Sequence, residues 1–409
     1  MHFEPGNEFG PLHGLRVVDV TTVMLGPYAT QMLGDLGADV IKVEAPPAGD
    51  IARNLGPSRR LGMSGSYMNM NRNKRSLALD LKQEAAKEVL RQLISTADVF
   101  LHNMRPQAIA RLGFGYDEVA RIKPDIAYVG AYGFGQDGPY RDRQAMDDAV
   151  QAASGLASLF QRQDGKSRYV PSAVVDKVVG LTVSQAVLAA LVHRGRTGEG
   201  QFVEVPMLET MVAFNLVDHL GAGAYASPPN PIGYPRASSP MRCPFPTRDG
   251  SVCIMPYDDR QCLAFCTAVG RPELMKDPRF CSFAARANHT DEFYAFIREV
   301  TPSRSTAEWL AICEDGGIPC MPIIDIEDLP DDPHLKAVGM FQRYEHPTEG
   351  DTVLVRPPVR YARSPASIRR LAPKFAQHSA EILRELGYAD SDIRELVASG
   401  SVLVDPNEE

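Results

Sequence analysis

Cysteine, the residue that most often signals disulfides or bound metal, is scarce and scattered in this sequence. Seven cysteines occur in 409 residues, none in a CxxC pair, and all lie between Cys243 and Cys320. Cys262 and Cys266 are the closest two, and no histidine stands beside them at metal-ligand spacing. An odd number of scattered cysteines is typical of reduced side chains that pack in a protein interior. We therefore expect neither a disulfide framework nor a zinc site.

Positive charge and long apolar runs are also lacking. Lys and Arg number 43 against 51 Asp and Glu, so the net charge is −8, whereas nucleic-acid binding requires a basic surface. The first residues contain no basic segment followed by an apolar one, so they do not resemble a signal peptide. The most apolar stretch, 173–192, is interrupted by Asp176, Lys177, Ser184 and Gln185. We expect a cytoplasmic protein with no nucleic-acid partner and no membrane partner.

Several motifs of common enzyme classes are missing. The loop after the first predicted strand, 21–27, contains Gly26 alone and no GxGxxG, which argues against a dehydrogenase-type dinucleotide site. No GxxxxGKS/T, HExxH or GxSxG occurs, so P-loop, zincin and α/β-hydrolase chemistry have no support. Further along, Gly133 and Gly135 predict a turn. The alternative is that this turn brings backbone N–H groups close to a ligand.

The first third of the sequence shows a regular alternation of strand and helix patterns. Short runs rich in β-branched residues predict strands at 15–21, 38–45, 75–81, 98–103 and 126–133. Apolar residues at helical spacing predict intervening helices at 26–38, 83–96 and 106–122. Strands that alternate with helices of this length form a parallel sheet with helices on both faces. The predicted fold class is therefore α/β, with right-handed crossovers.

Composition divides the rest of the chain. The pattern is mostly helical over 146–226, and a stretch rich in Pro, Gly and Ser at 222–247 is typical of a connection between domains. A smaller unit with mixed strand and helix patterns follows. A second Pro-rich stretch, 327–333, leads to a C-terminal part with strands near 352–362 and a last helix at 378–387.

Basic residues gather at the ends of the predicted strands. Arg72, Lys74 and Arg75 lie beside the third strand, and Arg105 and Arg111 follow the fourth. In an open parallel sheet, ligands bind beyond the carboxyl ends of the strands. The cluster therefore predicts a site for an anionic ligand with phosphates. The alternative is a solvated charged surface.

One carboxylate lies near the start of a long segment that is predicted to be an apolar helix. Asp176 lies among Val174, Val175, Val178 and Val179, where an unpaired carboxylate is costly. One interpretation is a helix N-cap, because Asp is favoured at helix starts. The other is a nucleophile toward an activated acyl carbon, kept ionised by the helix N-terminus in dry surroundings that protect an acyl-enzyme from hydrolysis. The residues alone leave both interpretations open.

Seven segments, spread in order over nearly the whole chain, carry a family resemblance. They are PLHGLRVVDVTTVMLGPYATQMLGDLGADVIKVEAPPAGDIAR, MNRNKRSLALDLK, RPQAIARLGFGYDEV, DGPYRDRQAMDDAVQAASGL, GRPELMKDPRF, GIPCMPIIDIEDLPDDPHL and SAEILRELGY. Each segment is weak by itself, but their number and order are specific. With them the chain resembles the family III CoA transferases, the group of formyl-CoA transferase, carnitine CoA transferase and, as a racemising branch, α-methylacyl-CoA racemase.

The resemblance implies that Asp176 is the catalytic nucleophile and that coenzyme A enters as an acyl-CoA substrate, with no metal. The family's aspartate attacks a donor thioester to form an aspartyl–acyl anhydride, which CoA thiolate converts to an aspartyl-CoA thioester. An acceptor carboxylic acid then runs the two steps in reverse. One activated acyl bond replaces another, so the exchange requires no ATP.

The resemblance also implies where coenzyme A and the partner subunit lie. Family positions that hold CoA fall on Leu79 and Met104 at the adenine and on Asn103 and Arg111 near the ribose and phosphates; charge adds Lys74, Arg75 and Arg105. The family fold is an interlocked dimer of ring-like monomers, here a homodimer or a pair with a paralogous subunit. Each monomer would have a large Rossmann-like domain, 1–221 with 331–409, and a small domain with its linkers, 222–330.

Departures from the family pattern reduce the number of activities that the resemblance allows. The racemase branch has a histidine where Met146 precedes Asp147, and racemisation requires a proton-transfer group on each face of the α-carbon. A transferase is therefore preferred to a racemase-like isomerase, and a CoA-binding protein without turnover is the other alternative. Met24 replaces a glutamine of formyl-CoA transferase, and PRASSPM (235–241) replaces its glycine-rich flap, which argues against formyl or oxalyl specificity. Met24, Met146 and Asp147 are expected to line the substrate pocket. Arg236 is a candidate contact for a second carboxylate of a substrate. The sequence does not identify the donor and acceptor acids.

Overall fold

The computed structural model of the protein describes residues 10–226 and 232–405, so 227–231 of the predicted linker lie outside the described residues. The strands are β1 (Arg16–Val20), β2 (Asp39–Glu44), β3 (Lys74–Leu79), β4 (Val99–His102), β5 (Ala127–Tyr132), β6 (Gln201–Pro206), β7 (Phe245–Pro246), β8 (Ser251–Ile254), β9 (Cys320–Pro322), β10 (Phe341–His346), β11 (Gly350–Val355) and β12 (Val402–Leu403). The α-helices are α1 (Leu25–Asp35), α2 (Gly65–Asn71), α3 (Glu84–Ser95), α4 (Pro106–Leu112), α5 (Tyr116–Ile122), α6 (Asp147–Ala153), α7 (Leu156–Asp164), α8 (Val174–Thr197), α9 (Met207–His219), α10 (Pro235–Ser238), α11 (Asp259–Ala268), α12 (Phe283–Asn288), α13 (Thr290–Val300), α14 (Thr306–Gly316), α15 (Pro333–Ala337), α16 (Ser379–Glu385) and α17 (Asp390–Ala398).

Seven strands form one sheet in the order β12-β3-β2-β1-β4-β5-β6. The first six strands of the chain pair in parallel, and β12 pairs antiparallel with β3 at one edge. Strands such as β3 and β5 are buried along their whole length, which is typical of a parallel sheet covered on both faces. The predicted α/β class with a parallel sheet is confirmed.

The direction of strand addition reverses beside β1. The chain runs from β1 through β2 to β3 on one side and then through β4 and β5 to β6 on the other. Strands β1 and β4 are therefore neighbours, and Val20 pairs with His102 at their carboxyl ends. Ligands of open parallel sheets bind beyond the carboxyl ends of the strands at such a reversal. The segments that follow Val20 and His102 are where a site is expected.

The chain divides into two compact units. The first consists of 1–154, 170–213 and 334–409 and contains the seven-stranded sheet; the second consists of 155–169 and 214–333. The second unit has a three-stranded antiparallel sheet, β7-β8-β9, and a core in which Phe265 stacks on Trp309. All seven cysteines are free. The predicted domain bounds at 221/222 and 330/331 stay a proposal.

Helix α8 runs through the first unit against α1, α6, β5 and β6. It approaches α1 so closely that a Cβ on Gly180 would lie 2.9 Å from the carbonyl oxygen of Leu25. Among the described residues, α8 is the one helix long and apolar enough to cross a membrane by length and composition. A core helix passes the same test, and its contacts with the sheet and with α1 favour that role.

The C-terminal part differs most from the predicted elements. The strands expected near 352–362 are a hairpin of β10 and β11 that ends at Val355, because Pro357 and Pro358 have no N–H to donate to a sheet. The predicted last helix corresponds to α16, and α17 and β12 follow it without having been predicted. Strand β12 is only two residues long, too short to show an alternation in sequence.

Candidate active site

Two carboxylates meet at the start of α8. The backbone N–H of Asp176 donates to Oδ2 of Asp147 at 3.0 Å, and Oδ1 of Asp147 accepts from Nε2 of Gln151 at 2.7 Å. The cap position of α8 is Ala173, so Asp176 lies inside the first turn. The N-cap interpretation of Asp176 is therefore wrong, because the carboxylate that satisfies an N–H of this helix start belongs to Asp147.

The carboxylate of Asp176 itself has no hydrogen bond and no ion pair within 10–226 and 232–405. Burial raises its pKa from 3.8 to about 6, and the nearby charge of Asp147 adds to the rise. Such a group is mostly ionised at neutral pH yet poorly solvated. A carboxylate in this state is typical of functional sites rather than of structural ones.

The loop after β1 is held in an unusual conformation. Val23 has a φ of 71°, which is strained for a β-branched residue. Its N–H donates to Oδ1 of Asp50 at 3.0 Å. Nζ of Lys42 donates to Oδ2 of Asp50 at 2.8 Å and to the carbonyl of Thr21 at 2.9 Å. A buried ion pair thus fixes Thr21 and Val23 of the loop, and we refer to Lys42 and Asp50 as the loop clasp.

A second buried ion pair, Lys74 with Asp19, lies beside the same loop and contacts residues on both sides of it. Nζ of Lys74 donates to Asp19, to the carbonyl of Pro27 and to Asn71, at 2.9 to 3.0 Å. Burial opposes ionisation of Asp19, but the charges of Lys74 and Lys42 lower its pKa to about 2. All three donors of the Lys74 ammonium are used, and its side chain is fully buried. Lys74 therefore supports the site without facing a ligand.

Asn103, the first residue after β4, ties the two strand ends together. Its Oδ1 accepts from the N–H of Thr22 at 3.0 Å, and its Nδ2 donates to the carbonyl of Thr22 at 2.9 Å. The loop after β1 and the end of β4 are thus joined at the point where the strand order reverses. Gly26, in the first turn of α1, packs so closely that a Cβ would lie 2.3 Å from Cβ of Thr21.

A cavity of about 240 Å³ lies among these segments of the first unit. Asp176 is part of its wall, together with the loop after β1, the end of β5 and the segment that precedes α6. Its charged lining residues are Arg105, Arg141, Arg143, Asp147 and Asp176. Three guanidinium groups against two carboxylates favour an anionic ligand. The residues that the structure describes include no cluster of three His, Cys, Asp or Glu suited to a metal ion.

Six of the predicted site residues line this cavity. They are Met24, Asn103, Arg105, Met146, Asp147 and Asp176. Apart from Lys74, four of the predicted residues lie elsewhere. Leu79 is fully buried within β3, Met104 packs against the core, and Arg111 is exposed on α4. Arg75 donates to Asp39, Glu381 and Glu385. Because Lys74 and Arg75 balance carboxylates of the chain itself, we leave both out of the proposed CoA site.

Two further cations lie in the cavity wall, at positions that the sequence motifs do not identify as site residues. Arg141 and Arg143 line the cavity, and the guanidinium of Arg143 lies 4.0 Å from the ring centroid of Tyr140. A signal for them was available, since DRQAM places Arg143 three residues before Met146. Charged residues are common in polar loops, so this position alone does not distinguish a site residue from an ordinary surface arginine.

The glycine turn after β5 is confirmed as a turn. The N–H of Gly135 donates to Glu209 and the N–H of Gln136 donates to Glu204, each at 2.9 Å. These two amides are therefore used within the protein. Gly133, by contrast, borders the cavity.

Comparison with known proteins gives matches along most of the chain. The profile of CoA-transferase family III matches residues 12–379. Human succinyl-CoA:glutarate CoA-transferase is 32% identical over 400 residues, which cover 97% of this chain and 91% of that protein. Formyl-CoA:oxalate CoA-transferase of Afipia carboxidovorans is 31% identical over 416 residues, with 96% and 97% covered. The crystal structure of Rv3272 from M. tuberculosis matches with a TM-score of 0.80 at 30% identity and covers 92% of this chain and 100% of that one. The chain is therefore an enzyme of CoA-transferase family III.

Proposed function

We propose that the protein moves CoA from an acyl-CoA thioester to a free carboxylic acid through covalent intermediates on Asp176. The observation that carries the proposal is the state of this carboxylate. It is unpaired among the described residues, lies in the wall of a cavity, and has a pKa raised to about 6 by burial and by Asp147. A carboxylate with these properties is a suitable nucleophile for an activated acyl carbon.

The first half of the reaction loads CoA onto the enzyme. An oxygen of Asp176 attacks the thioester carbonyl, the C–S bond breaks, and CoA leaves as the thiolate while the donor acyl group forms a mixed anhydride with Asp176. The thiolate then attacks the side-chain carbonyl of Asp176, the anhydride C–O bond breaks, and the donor leaves as a carboxylate. The product is an aspartyl-CoA thioester, and no net proton is taken up or released.

The second half transfers CoA to the acceptor. The acceptor carboxylate attacks the side-chain carbonyl of the aspartyl thioester and expels the thiolate, which gives an anhydride between Asp176 and the acceptor. The thiolate attacks the acceptor's acyl carbon, the C–O bond to Asp176 breaks, and acyl-CoA leaves. Asp176 is regenerated as a carboxylate.

The surroundings of Asp176 favour acylation in a specific way. Its charged form is disfavoured first by burial and then by the charge of Asp147. Forming a neutral ester-like bond removes that charge and relieves both effects. The N–H bonded to Asp147 keeps the helix start in place while Asp176 changes state. Exclusion of water from such a site protects an anhydride from hydrolysis.

The two CoA-transferases above are named for succinyl-CoA with glutarate and for formyl-CoA with oxalate, and the free acid in each name, glutarate or oxalate, is a dicarboxylic acid. We propose a dicarboxylic acid as one substrate of this enzyme as well. Arg143, held against Tyr140 in the segment before Asp147, is the proposed partner of the carboxylate that does not react. Arg105 and Arg111, with Asn103, follow β4 and are the proposed partners of CoA. A guanidinium binds a carboxylate or a phosphate with two parallel hydrogen bonds.

The family resemblance supports a further proposal, that the enzyme acts as an interlocked homodimer or with a paralogous subunit. We also propose that it works in the cytoplasm. Sedimentation of the purified protein, alone and after coexpression with a paralogue, tests the first of these.

The covalent proposal is tested by incubation with succinyl-CoA and analysis of the intact protein by mass spectrometry. We expect a CoA adduct that hydroxylamine removes and that peptide mapping locates at Asp176. The Asp176→Ala variant should form no adduct and show no exchange, while its affinity for CoA stays within a few-fold of that of the parent protein. Exchange at a near-normal rate in this variant would contradict the mechanism.

The alternatives give different results in the same experiment. A racemase-like isomerase would wash deuterium from solvent into the α-carbon of a branched acyl-CoA without acid exchange. The described residues of the cavity wall include no histidine, and Met146 stands where the racemase branch has one, so the histidine that would serve as that branch's second proton-transfer group is lacking there. A binding protein without turnover would give neither adduct nor deuterium. The helix-cap role on which that alternative depends is not the role of Asp176.

A further inference from the structure

The second unit contains a cavity of its own, made entirely of residues between Tyr234 and Tyr294. Its volume is about 380 Å³, which is within the range of small-molecule sites. Tyr257, Phe283, Phe293 and Tyr294 contribute aromatic rings to its wall. Most of this wall is aromatic or aliphatic. Two of the twelve lining residues are arginines, and none carries a carboxylate.

The two arginines differ in how their charge is balanced. Arg286 is buried, donates to the carbonyl of Phe280 at 2.8 Å and forms an ion pair with Asp259. Arg236 has no ion pair with any residue that the structure describes. Its Nε donates to the hydroxyl of Tyr294 at 2.9 Å, and one of its terminal nitrogens lies 3.1 Å from Sδ of Met255. The cavity therefore holds one oriented cation whose charge this unit does not neutralise.

An oriented guanidinium beside an apolar wall selects a ligand of mixed character. The guanidinium favours a carboxylate, with which it forms charge-assisted hydrogen bonds. The remaining wall favours an aromatic body, because Tyr257 and Phe283 already meet edge to face with ring centroids 5.1 Å apart and such contacts are favourable for a further ring. A dicarboxylate or a phosphate would bring a second charge against Phe293, which is buried, and burial of an unpaired charge is costly.

We propose that this cavity is a second ligand site, distinct in its residues from the cavity around Asp176, and that it binds an arylalkyl monocarboxylic acid through Arg236. The ring of the ligand lies among Phe283, Phe293 and Tyr257, and its carboxylate faces Arg236. The proposal does not depend on the transfer chemistry of Asp176, because all lining residues belong to the second unit.

Calorimetric titration of the full-length protein with 3-phenylpropionate tests the site, with 3-phenylpropionamide and acetate as matched probes that lack the charge or the ring. We expect saturable binding of the acid and affinities at least about tenfold lower for the amide and for acetate. Arg236→Gln should weaken binding of the acid by about 10- to 100-fold, the effect of losing a charged hydrogen bond, and should leave the amide unchanged. Arg248→Gln is the charge control, because Arg248 pairs with Glu308 at the surface of the same unit and does not line the cavity.

A second pair of variants keeps the test valid if Arg236→Gln does not fold. Ala287 is exposed on α12 and lines the cavity, whereas Ala284 is exposed on the same helix and does not. Ala287→Leu should narrow the cavity and weaken binding of acid and amide alike, and Ala284→Leu should change neither. Unchanged binding of the acid in Arg236→Gln and Ala287→Leu overturns the proposal. So does binding that is lost only in Arg143→Gln, because the acid would then occupy the cavity of the first unit.

Discussion

The backbone N–H of Asp176 is bonded to the carboxylate of Asp147, so one acidic residue holds the start of the helix that carries the other. The contact has two consequences. It satisfies a free N–H in the first turn of α8, and it fixes a second negative charge near the carboxylate that we propose as the nucleophile. Burial is the larger cause of the raised pKa of Asp176, and Asp147 is the next.

Removing the charge of Asp147 should shift the pH dependence of acylation. In Asp147→Asn the side-chain oxygen can still accept from the N–H of Asp176, but the repulsion is gone, so the pKa of Asp176 should fall below about 6. Only the ionised carboxylate attacks a thioester, so the rate rises with pH through this pKa. We expect the rising limb to move to lower pH in single-turnover measurements of CoA-adduct formation. Asp148→Asn, a change at an exposed neighbour outside the cavity wall, should leave the limb in place, and equal limbs in both variants would contradict the assigned coupling.

Asp176 should make the folded protein less stable at neutral pH than a neutral residue would. Burial and Asp147 raise its pKa from 3.8 to about 6, so the folded state binds this proton more tightly than the unfolded state does. The resulting stability is present below about pH 4 and is lost as pH rises through about 6. Asp176→Asn should therefore increase the free energy of unfolding by about 1–3 kcal/mol at about pH 8 and change it little at about pH 4. Urea unfolding at both pH values measures the difference, and an equal gain at both would assign it to packing instead of charge.

The position of Asp176 illustrates what the sequence could and could not predict. The apolar pattern places a helix start near it, and the family motifs assign it as the nucleophile. Whether it caps the helix or lies inside the first turn depends on a shift of a few residues, and helix ends are the least certain part of such predictions. The contact that decides the question comes from Asp147, 29 residues earlier in the chain.

The basic residues near β3 show the opposite outcome. Their charge and position favour phosphate contacts, yet Lys74 pairs with Asp19 and Arg75 with Asp39. These partners are 55 and 36 residues away. Asp39 lies on β2, next to β3, and Asp19 lies on β1, one strand further. The order and register of the strands bring these charges together, and neither strand order nor register can be predicted from the residues near Lys74 and Arg75 alone. The order of the five strands in the first third, by contrast, was predicted correctly because each of them has a clear pattern. Helix α2, between β2 and β3, was not predicted.

The loop clasp should be needed for stability and for an ordered cavity wall. Asp50→Asn leaves Lys42 buried without its carboxylate and weakens the acceptor for the N–H of Val23. Breaking a buried ion pair in this way costs about 3–5 kcal/mol, so the unfolding midpoint in urea should fall markedly. Glu84→Gln is the control, because its pairs with Lys87 and Arg91 lie at the surface and should contribute less than about 1 kcal/mol.

A second change tests whether the clasp opposes backbone strain. Glycine adopts the φ of 71° seen at Val23 without steric strain. Adding Val23→Gly to Asp50→Asn should therefore recover about 1 kcal/mol of the lost free energy of unfolding. No recovery in the double variant would indicate that the clasp stabilises the fold by charge pairing alone.

The cavity arginines should separate selection of the acceptor acid from binding of CoA. If Arg143 holds the unreactive carboxylate of a dicarboxylic acceptor, Arg143→Gln should lower kcat/KM for glutarate by about 10- to 100-fold, the effect of one charged hydrogen bond. Butyrate has no second carboxylate, so its kcat/KM should change less than about threefold. Arg105→Gln should instead raise the KM for succinyl-CoA about equally with either acceptor, because its proposed partner is a phosphate of CoA. Arg121→Gln is the control, since Arg121 pairs with Glu118 on the exposed side of α5 and does not line the cavity. Steady-state kinetics with each acid measures kcat/KM for that acid and the KM for succinyl-CoA in every variant. Equal losses of kcat/KM for glutarate and butyrate in Arg143→Gln would mean that this arginine does not bind the second carboxylate.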